Sequence, residues 1–375
     1  MNKTTRTILW IVIAVVVIGG IWYTTTKEQS VEEDVVKIGA ILPLTGEVAI
    51  VGISIQQGIE IAVEDVNKIG GIKGRQIKVV FENDEYDNKK SVTASQKLIN
   101  VDKIDIGIMP FVHGAKAVMP IFEQNKIPLI VAWDSTNELE KGDYIFSTGF
   151  STELSGKRMA NYAYNELNLR KVAIVLHQDE WSEVIAPAFK EEFQGLGGKV
   201  LLEEKVTVGE SDFRTIISKI KSKGADAVYL PLVPMNTDMF LKQAKELGLE
   251  AQILSGDALI PDIIMVAGEA AEGVYFTSIY VEDNEISRDL DKKYREKYGE
   301  EAPALPMVAF GYDAMLAIKS AIEKVEEITP EGIKDVFYSI DIIGAGGQIK
   351  IGVNGLSERV EKVFRVQNGE GILVE

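Results

Sequence analysis

The sequence predicts an α/β protein of two parallel-sheet lobes, on three observations. Residues 36–84 spell one complete strand-helix-strand unit, the alternation then repeats for most of the chain, and 375 residues with 46% hydrophobic content suffice for two cores. So many alternations exceed one ordinary doubly wound sheet, which makes two Rossmann-like lobes the economical solution.

Val35, Val36, Ile38, Ala40, Ile41 and Leu42 form the short, nearly continuous apolar run of a strand buried on both faces. Leu44-Thr45-Gly46 follows at the carboxyl edge of the sheet, where open α/β folds bind ligands. From Ser54, apolar Ile55, Ile59, Ala62, Val63 and Val66 recur at spacings of three and four, with Glu60, Glu64, Asp65 and Lys68 between them. Gly70-Gly71 stops this amphipathic helix.

Further strands are expected at 104–109, 128–132, 171–176, 199–205, 227–231, 252–255 and 274–278. Helical patterns fall at 89–100, 115–125, 153–167, 183–196, 213–223, 238–247, 287–298 and 310–324. The chain is expected to cross between lobes near Gly149-Phe150-Ser151, at 277–281 and at 342–347, a three-strand hinge. That assigns 36–149 with 278–343 to lobe one and 150–277 with 344–375 to lobe two. Strands at 348–351 and 363–366 are expected around an Asn354-Gly355 turn.

Thr7 to Thr26 is an uncharged stretch of 20 residues behind Lys3 and Arg6, long enough to span a bilayer. The positive residues before it and Glu32-Glu33-Asp34 after it orient the main body outward. Residues 1–26 are therefore expected to be a membrane anchor, with a cleaved signal peptide as the competing possibility, and 27–35 a polar linker.

Composition removes several functions. Lys plus Arg total 40 against 57 Asp plus Glu, a formal charge of −17, which argues against a nucleic-acid partner. The chain has no cysteine and two histidines, His113 and His177, so thiol chemistry and multi-histidine metal sites are excluded. No Walker A, GxGxxG, GxSxG or HExxH pattern occurs, so neither an enzyme nor a cofactor is expected.

The opening unit, joined to GIMPFVHGAKAVMPIFEQNKIPLIVAWDSTNEL, VAIVLHQDEW, VYLPLVPMNTDMFLKQAKELGL and FGYDAMLAIKSAIEK, resembles the type I periplasmic binding proteins of the leucine/isoleucine/valine-binding family over residues 36–375. The resemblance implies a Venus-flytrap receptor whose lobes close on a small solute, usually an amino acid, for delivery to an ABC permease. A membrane-tethered sensing ectodomain is the rival function, although Met1 to Arg6 is too short to carry a signalling domain.

Ser135, in the Trp133-Asp134-Ser135-Thr136 loop, matches the family's carboxylate-binding hydroxyl, with a helix N-cap as the alternative. Phe111-Val112-His113-Gly114 opens a helix whose amides can hold an anion; His113 departs from the family's small hydroxyl residues and either reaches the ligand or is an ordinary loop histidine. Trp181 matches the aromatic lid, with core packing as the alternative, while His177 is expected to be structural. Asp257 matches the acid that pairs with the ligand's ammonium, a helix N-cap being its bland role. Val51 and Val233-Pro234 stand where relatives that bind branched-chain amino acids tend to carry aromatics, so leucine itself is not implied.

Overall fold

Val36, Ile38, Ala40, Ile41 and Leu42 are sealed from solvent, and in the computed structural model they form strand β1 (Val36–Leu42), an interior strand of the first lobe's sheet. The structure describes residues 35–46, 48–207 and 209–375. The membrane segment expected at 7–26, and all but the last residue of the linker, lie outside the described residues.

After β1 come α1 (Ala49–Lys68), β2 (Ile77–Asn83), α2 (Asn88–Lys97), β3 (Ile106–Met109), α3 (Val112–Asn125), β4 (Leu129–Val131), β5 (Asp134–Ser135) and β6 (Ile145–Ser147). The lobe's sheet runs β2-β1-β3-β4-β6 with every pairing parallel. Helix α3 starts at Val112, three residues ahead of the expected start, because Phe111 is already extended and Val112 enters the helix directly. His113 and Gly114 therefore occupy its first turn.

The first crossing is β7 (Phe150–Ser151), which pairs with β5. Ser151 then caps α4 (Thr152–Asn165), its hydroxyl accepting from Leu154 N–H at 3.3 Å. The second lobe continues through β8 (Lys171–His177), α5 (Ser182–Gly195), β9 (Lys199–Val206), α6 (Arg214–Lys223), β10 (Ala227–Leu230), α7 (Pro234–Glu246), β11 (Gln252–Ser255), α8 (Pro261–Ala267) and β12 (Tyr275–Ser278). Helix α7 begins four residues before the expected 238, since Pro234 lacks an N–H to lose and its fixed φ suits a first turn.

The chain then returns to the first lobe with α9 (Glu285–Tyr298), α10 (Leu305–Lys324), α11 (Pro330–Phe337), β13 (Asp341–Gly344) and β14 (Gly347–Lys350). Helix α10 is long and apolar enough to cross a membrane, but most of it is buried in the first lobe's core. It crosses α1 backbone to backbone: a Cβ on Gly58 would stand 2.0 Å from the Val308 carbonyl oxygen, and one on Gly311 would stand 2.1 Å from that of Ile55. Only glycine permits this approach.

The third crossing corrects the expected boundary at 344. Ala345, Ile349 and Ile351 pack into the same core as Val36 and Ile38, so the β13–β14 hairpin belongs to the first lobe. The chain leaves it at 357–361 and enters β15 (Lys362–Gln367), which pairs antiparallel with β12 and with β16 (Glu370–Leu373). The strands expected around Asn354-Gly355 thus exist but lie in different sheets, ordered β13-β14 and β16-β15-β12-β11-β10-β8-β9.

Arg359 knits the crossings together. Its guanidinium donates to Asp313 Oδ2 at 2.5 Å, Gly347 O at 3.0 Å, Thr148 O at 3.3 Å and Gln348 O at 3.0 Å, and lies over the Phe310 ring. Asp313 in turn accepts from the amides of Ala345 and Gly346 at 2.6 and 3.0 Å. Both members of this ion pair are buried and hydrogen-bonded, as burial of charge requires.

Candidate functional site

The loops that leave the first lobe's strands are built to face one edge. Asn83, ending β2, accepts from Leu44 N–H at 2.9 Å and donates to Thr45 Oγ1 at 2.8 Å, which ties down the Leu44-Thr45-Gly46 loop. Buried Asp84 next accepts from Ser91 Oγ at 2.8 Å and from Tyr86 N–H at 3.0 Å. Glu85 and Tyr86 adopt left-handed φ values of 51° and 61°, and this turn carries the Tyr86 ring onto His113, 4.8 Å away and stacked. Phe111 meets Tyr86 edge-on at 5.2 Å.

His113 reaches across to the other lobe. Its Nδ1 lies 3.3 Å from Glu180 Oε2, in the loop after β8, and Lys116 one turn further along α3 bridges Glu180 and Glu138. Gly114 is buried beside Met109, whose terminal methyl, 2.5 Å from where a Cβ would stand, would have to move aside for any side chain there.

The same helix start is already occupied by an anion from the protein itself. Val112 N–H donates to Asp134 Oδ1 at 2.8 Å, so this carboxylate sits at the positive end of α3. Its neighbour Ser135 is fully buried and donates to Phe150 O at 3.3 Å, inside the β5–β7 pairing. Thr136 is buried too, precedes the short helix at Asn137–Lys141 without capping it, and its hydroxyl has no hydrogen-bond partner. Ser135 does not make the N-cap bond weighed for it.

In the second lobe His177 Nδ1 accepts from Val233 N–H at 3.0 Å, and burial lowers the ring's pKa, so this histidine is a neutral structural tie. Asp179 holds the start of α5 through Ser182 N–H at 2.9 Å and Ser182 Oγ at 2.8 Å. Half-buried Trp181 stands over Gly256, whose missing side chain leaves the indole room: a Cβ there would be 3.0 Å from the ring. Asp257 is adjacent. It does not cap α8, whose N-cap is Ile260.

Electrostatics join these pieces. Burial pushes the carboxyl of Asp257 up to about 7. Burial also pushes Asp134 up to about 7, with the charges of Asp257 and Glu180 adding to the effect and the Val112 N–H opposing it. Glu361, on the third crossing, is raised well above its ordinary value by burial and by Asp257. The hydroxyls of Ser155 and Thr277 flank it and offset part of that push, although neither carboxyl oxygen reaches hydrogen-bond geometry. Burial raises the Tyr86 phenol as well, reinforced by Asp134, Asp179, Glu180 and Asp84. Among the described residues no lysine or arginine forms an ion pair with Asp134, Asp257 or Glu361.

His113, Trp181 and Asp257 are thus gathered where the lobes meet, while Gly114, Ser135 and Thr136 are buried, Thr136 with its hydroxyl unpartnered. Four participants were not singled out from sequence. Asp134 sat beside a more familiar hydroxyl, Tyr86 depends on a left-handed turn, and Glu180 and Glu361 lie in segments without periodic signal. An Asp-x-Tyr following an edge strand was the one available hint, for Tyr86.

Two α/β lobes joined by three crossings, with strand-end loops converging where they meet, define a solute-binding protein. The chain belongs to the periplasmic binding protein family, which matches residues 35–369, and within it to the type I, leucine/isoleucine/valine-binding branch. It is 28% identical over 304 residues to Leu/Ile/Val-binding protein homolog 1 of Brucella abortus (strain 2308), covering 80% of this chain and 81% of that one. Among solved structures it resembles the leucine-binding protein LivK of Thermotoga maritima at 29% identity and TM-score 0.81, covering 91% and 98% of the two chains. It also resembles LivJ of Streptococcus pneumoniae in complex with isoleucine, at 25% identity and TM-score 0.79, covering 91% and 99%. Membership makes the chain a binding protein rather than an enzyme and implies an extracytoplasmic location.

Proposed function

We propose that this protein is an extracytoplasmic receptor that closes its lobes on a small amine-bearing solute, an amino acid or a related amine, and delivers it to an ABC permease. One observation carries the choice of an amine: Asp134 and Asp257, from opposite lobes, lie within reach of each other's charge, and among the described residues neither forms an ion pair with a lysine or arginine. An ammonium placed there supplies the missing charge and restores both carboxylates to their ionised form.

Asp257 takes the ammonium, Trp181 and Tyr86 form aromatic walls that also favour a cation, and His113 closes the rim against Glu180. Gly114, Ser135 and Thr136 serve the floor beneath. Residues 7–26 serve as a retained anchor that keeps the receptor beside its permease.

Thermal-shift screening of ligand-free protein against amino acids, amides and amines tests this function. A ligand at about 100 times its dissociation constant adds roughly 2.7 kcal/mol of stability. No shift with any amine-bearing compound would remove the substrate class.

A further inference from the structure

The three crossings enclose a cavity of about 250 Å³, to which Phe150 of the first, Ile279 of the second and Glu361 of the third all contribute. His113, Asp134, Trp181 and Asp257 do not line it. It is smaller than the roughly 300–1,000 Å³ of drug-sized pockets, so it suits a solute of few heavy atoms.

Part of its charge is already spent: Lys350 pairs with Glu358 at 2.8 Å, and the Arg359 guanidinium is committed to Asp313 and three carbonyls. Glu282, Glu361 and Lys362 remain, and among the described residues none of the three forms an ion pair. Glu361 matters most, because it is 2% exposed and neither of its carboxyl oxygens has a hydrogen-bond partner. The flanking hydroxyls do not supply one: Ser155 Oγ donates to Ser151 O at 3.1 Å, and Thr277 Oγ1 is itself unpartnered. A buried carboxyl left in this way is costly unless a donor or a cation joins it.

Lys362 decides what kind of donor fits. A bare cation reaching Glu361 would meet Lys362 and Arg359 in the same cavity, and a bare anion reaching Lys362 would meet Glu361 and Glu282. A zwitterion satisfies both. Glu361 and Lys362 are consecutive residues at the entry to β15, so their side chains leave the extended chain on opposite faces and their charged ends stand apart. The adjacent charges of an α-amino acid do not span that separation, whereas charges at the two ends of a short chain do. Phe150 and Phe310, both nearly sealed from solvent, give such a chain an apolar wall.

We infer that this hinge cavity is a second binding site, for a small ω-amino acid whose ammonium meets Glu361 and whose carboxylate meets Lys362. It is separate from the amine cleft proposed above and does not rest on it.

Calorimetry of the full-length protein in detergent tests the site with 4-aminobutanoate, 5-aminopentanoate and 6-aminohexanoate, each beside the plain amine and the plain carboxylate of the same chain length. At least one ω-amino acid is expected to bind about ten-fold or more tightly than either of its single-charge counterparts. Glu361→Gln and Lys362→Gln should each weaken that binding by about ten-fold or more, whereas Asp257→Asn should leave it within about three-fold. Lys362→Gln carries the test if Glu361→Gln does not fold. No binding by any of the three, a plain amine or carboxylate that binds as well, or unchanged affinity in either folded glutamine variant overturns the site. A loss in Asp257→Asn as large as in Glu361→Gln assigns the ligand to the cleft and overturns the site too, while leaving the amine receptor standing.

Discussion

Asp134 of the first lobe lies within electrostatic reach of Asp257 of the second, whose charge helps to hold the Asp134 carboxyl at about 7. On the amine-receptor function proposed above, these two acids bind protons in the free protein and a cation once an ammonium enters. Ligand binding and protonation therefore compete for the same groups.

The first prediction follows from that competition. A cation favours the ionised carboxylates, so affinity should rise as pH increases from 5.5 to about 7 and level off above, with protons released on binding at pH 6. Glu180 also adds its charge to Asp134, and Tyr86 feels the charges of Asp134, Asp179, Glu180 and Asp84. Calorimetry in buffers of different ionisation enthalpy measures the released protons; pH-independent affinity without proton release would contradict the pairing.

Stability should respond with the opposite sign. The Asp257 carboxyl titrates near 7 in the fold and near 3.8 when unfolded, so between those values the folded state holds a proton that the unfolded state has lost. Stability contributed by this group is intact below pH 4 and declines as pH rises toward 7. Asp257→Asn should flatten that decline and stabilise the ligand-free protein at pH 7.5 by about 1–3 kcal/mol, after allowance for partial solvent access. Urea titrations at pH 4.5 and 7.5 would show it, and a variant less stable than the parent at pH 7.5 would refute it.

Much of this was legible in the sequence, and what escaped did so for physical reasons. Strands buried on both faces and helices with a clear apolar stripe announce themselves locally, which is why β1 and the body of α1 emerge where expected, although α1 starts at Ala49, five residues ahead of Ser54. Ile349 and Val363 look alike in sequence, yet one is core of the first lobe and the other of the second. No local pattern says which. Asp134 reaching back 22 residues to Val112 is likewise a tertiary bond that no local pattern announces.

Closure should depend on the rim. Glu180 accepts both His113 and Lys116 from the opposite lobe, but these groups are about one-third exposed, which limits their worth. Glu180→Gln is expected to weaken ligand binding by about 0.5–1 kcal/mol, mostly through faster release and less so at high salt. Stopped-flow dissociation at two ionic strengths measures this; an unchanged release rate at low salt would exclude a latch.

The hinge pair should behave differently. Asp313→Ala leaves the Arg359 guanidinium buried beside carbonyls with no counter-charge. A loss of about 3–5 kcal/mol in unfolding free energy is expected, readable by urea denaturation. A loss below 1 kcal/mol would mean that the pair does not hold the crossings together.

The most direct measurement is the affinity of Asp257→Asn, by calorimetry at pH 7.5, for whichever amine binds the parent protein most tightly. If that carboxylate receives the ligand's ammonium, the variant loses about 2–5 kcal/mol, roughly thirty-fold to several thousand-fold. An affinity equal to the parent's would contradict the account at its centre.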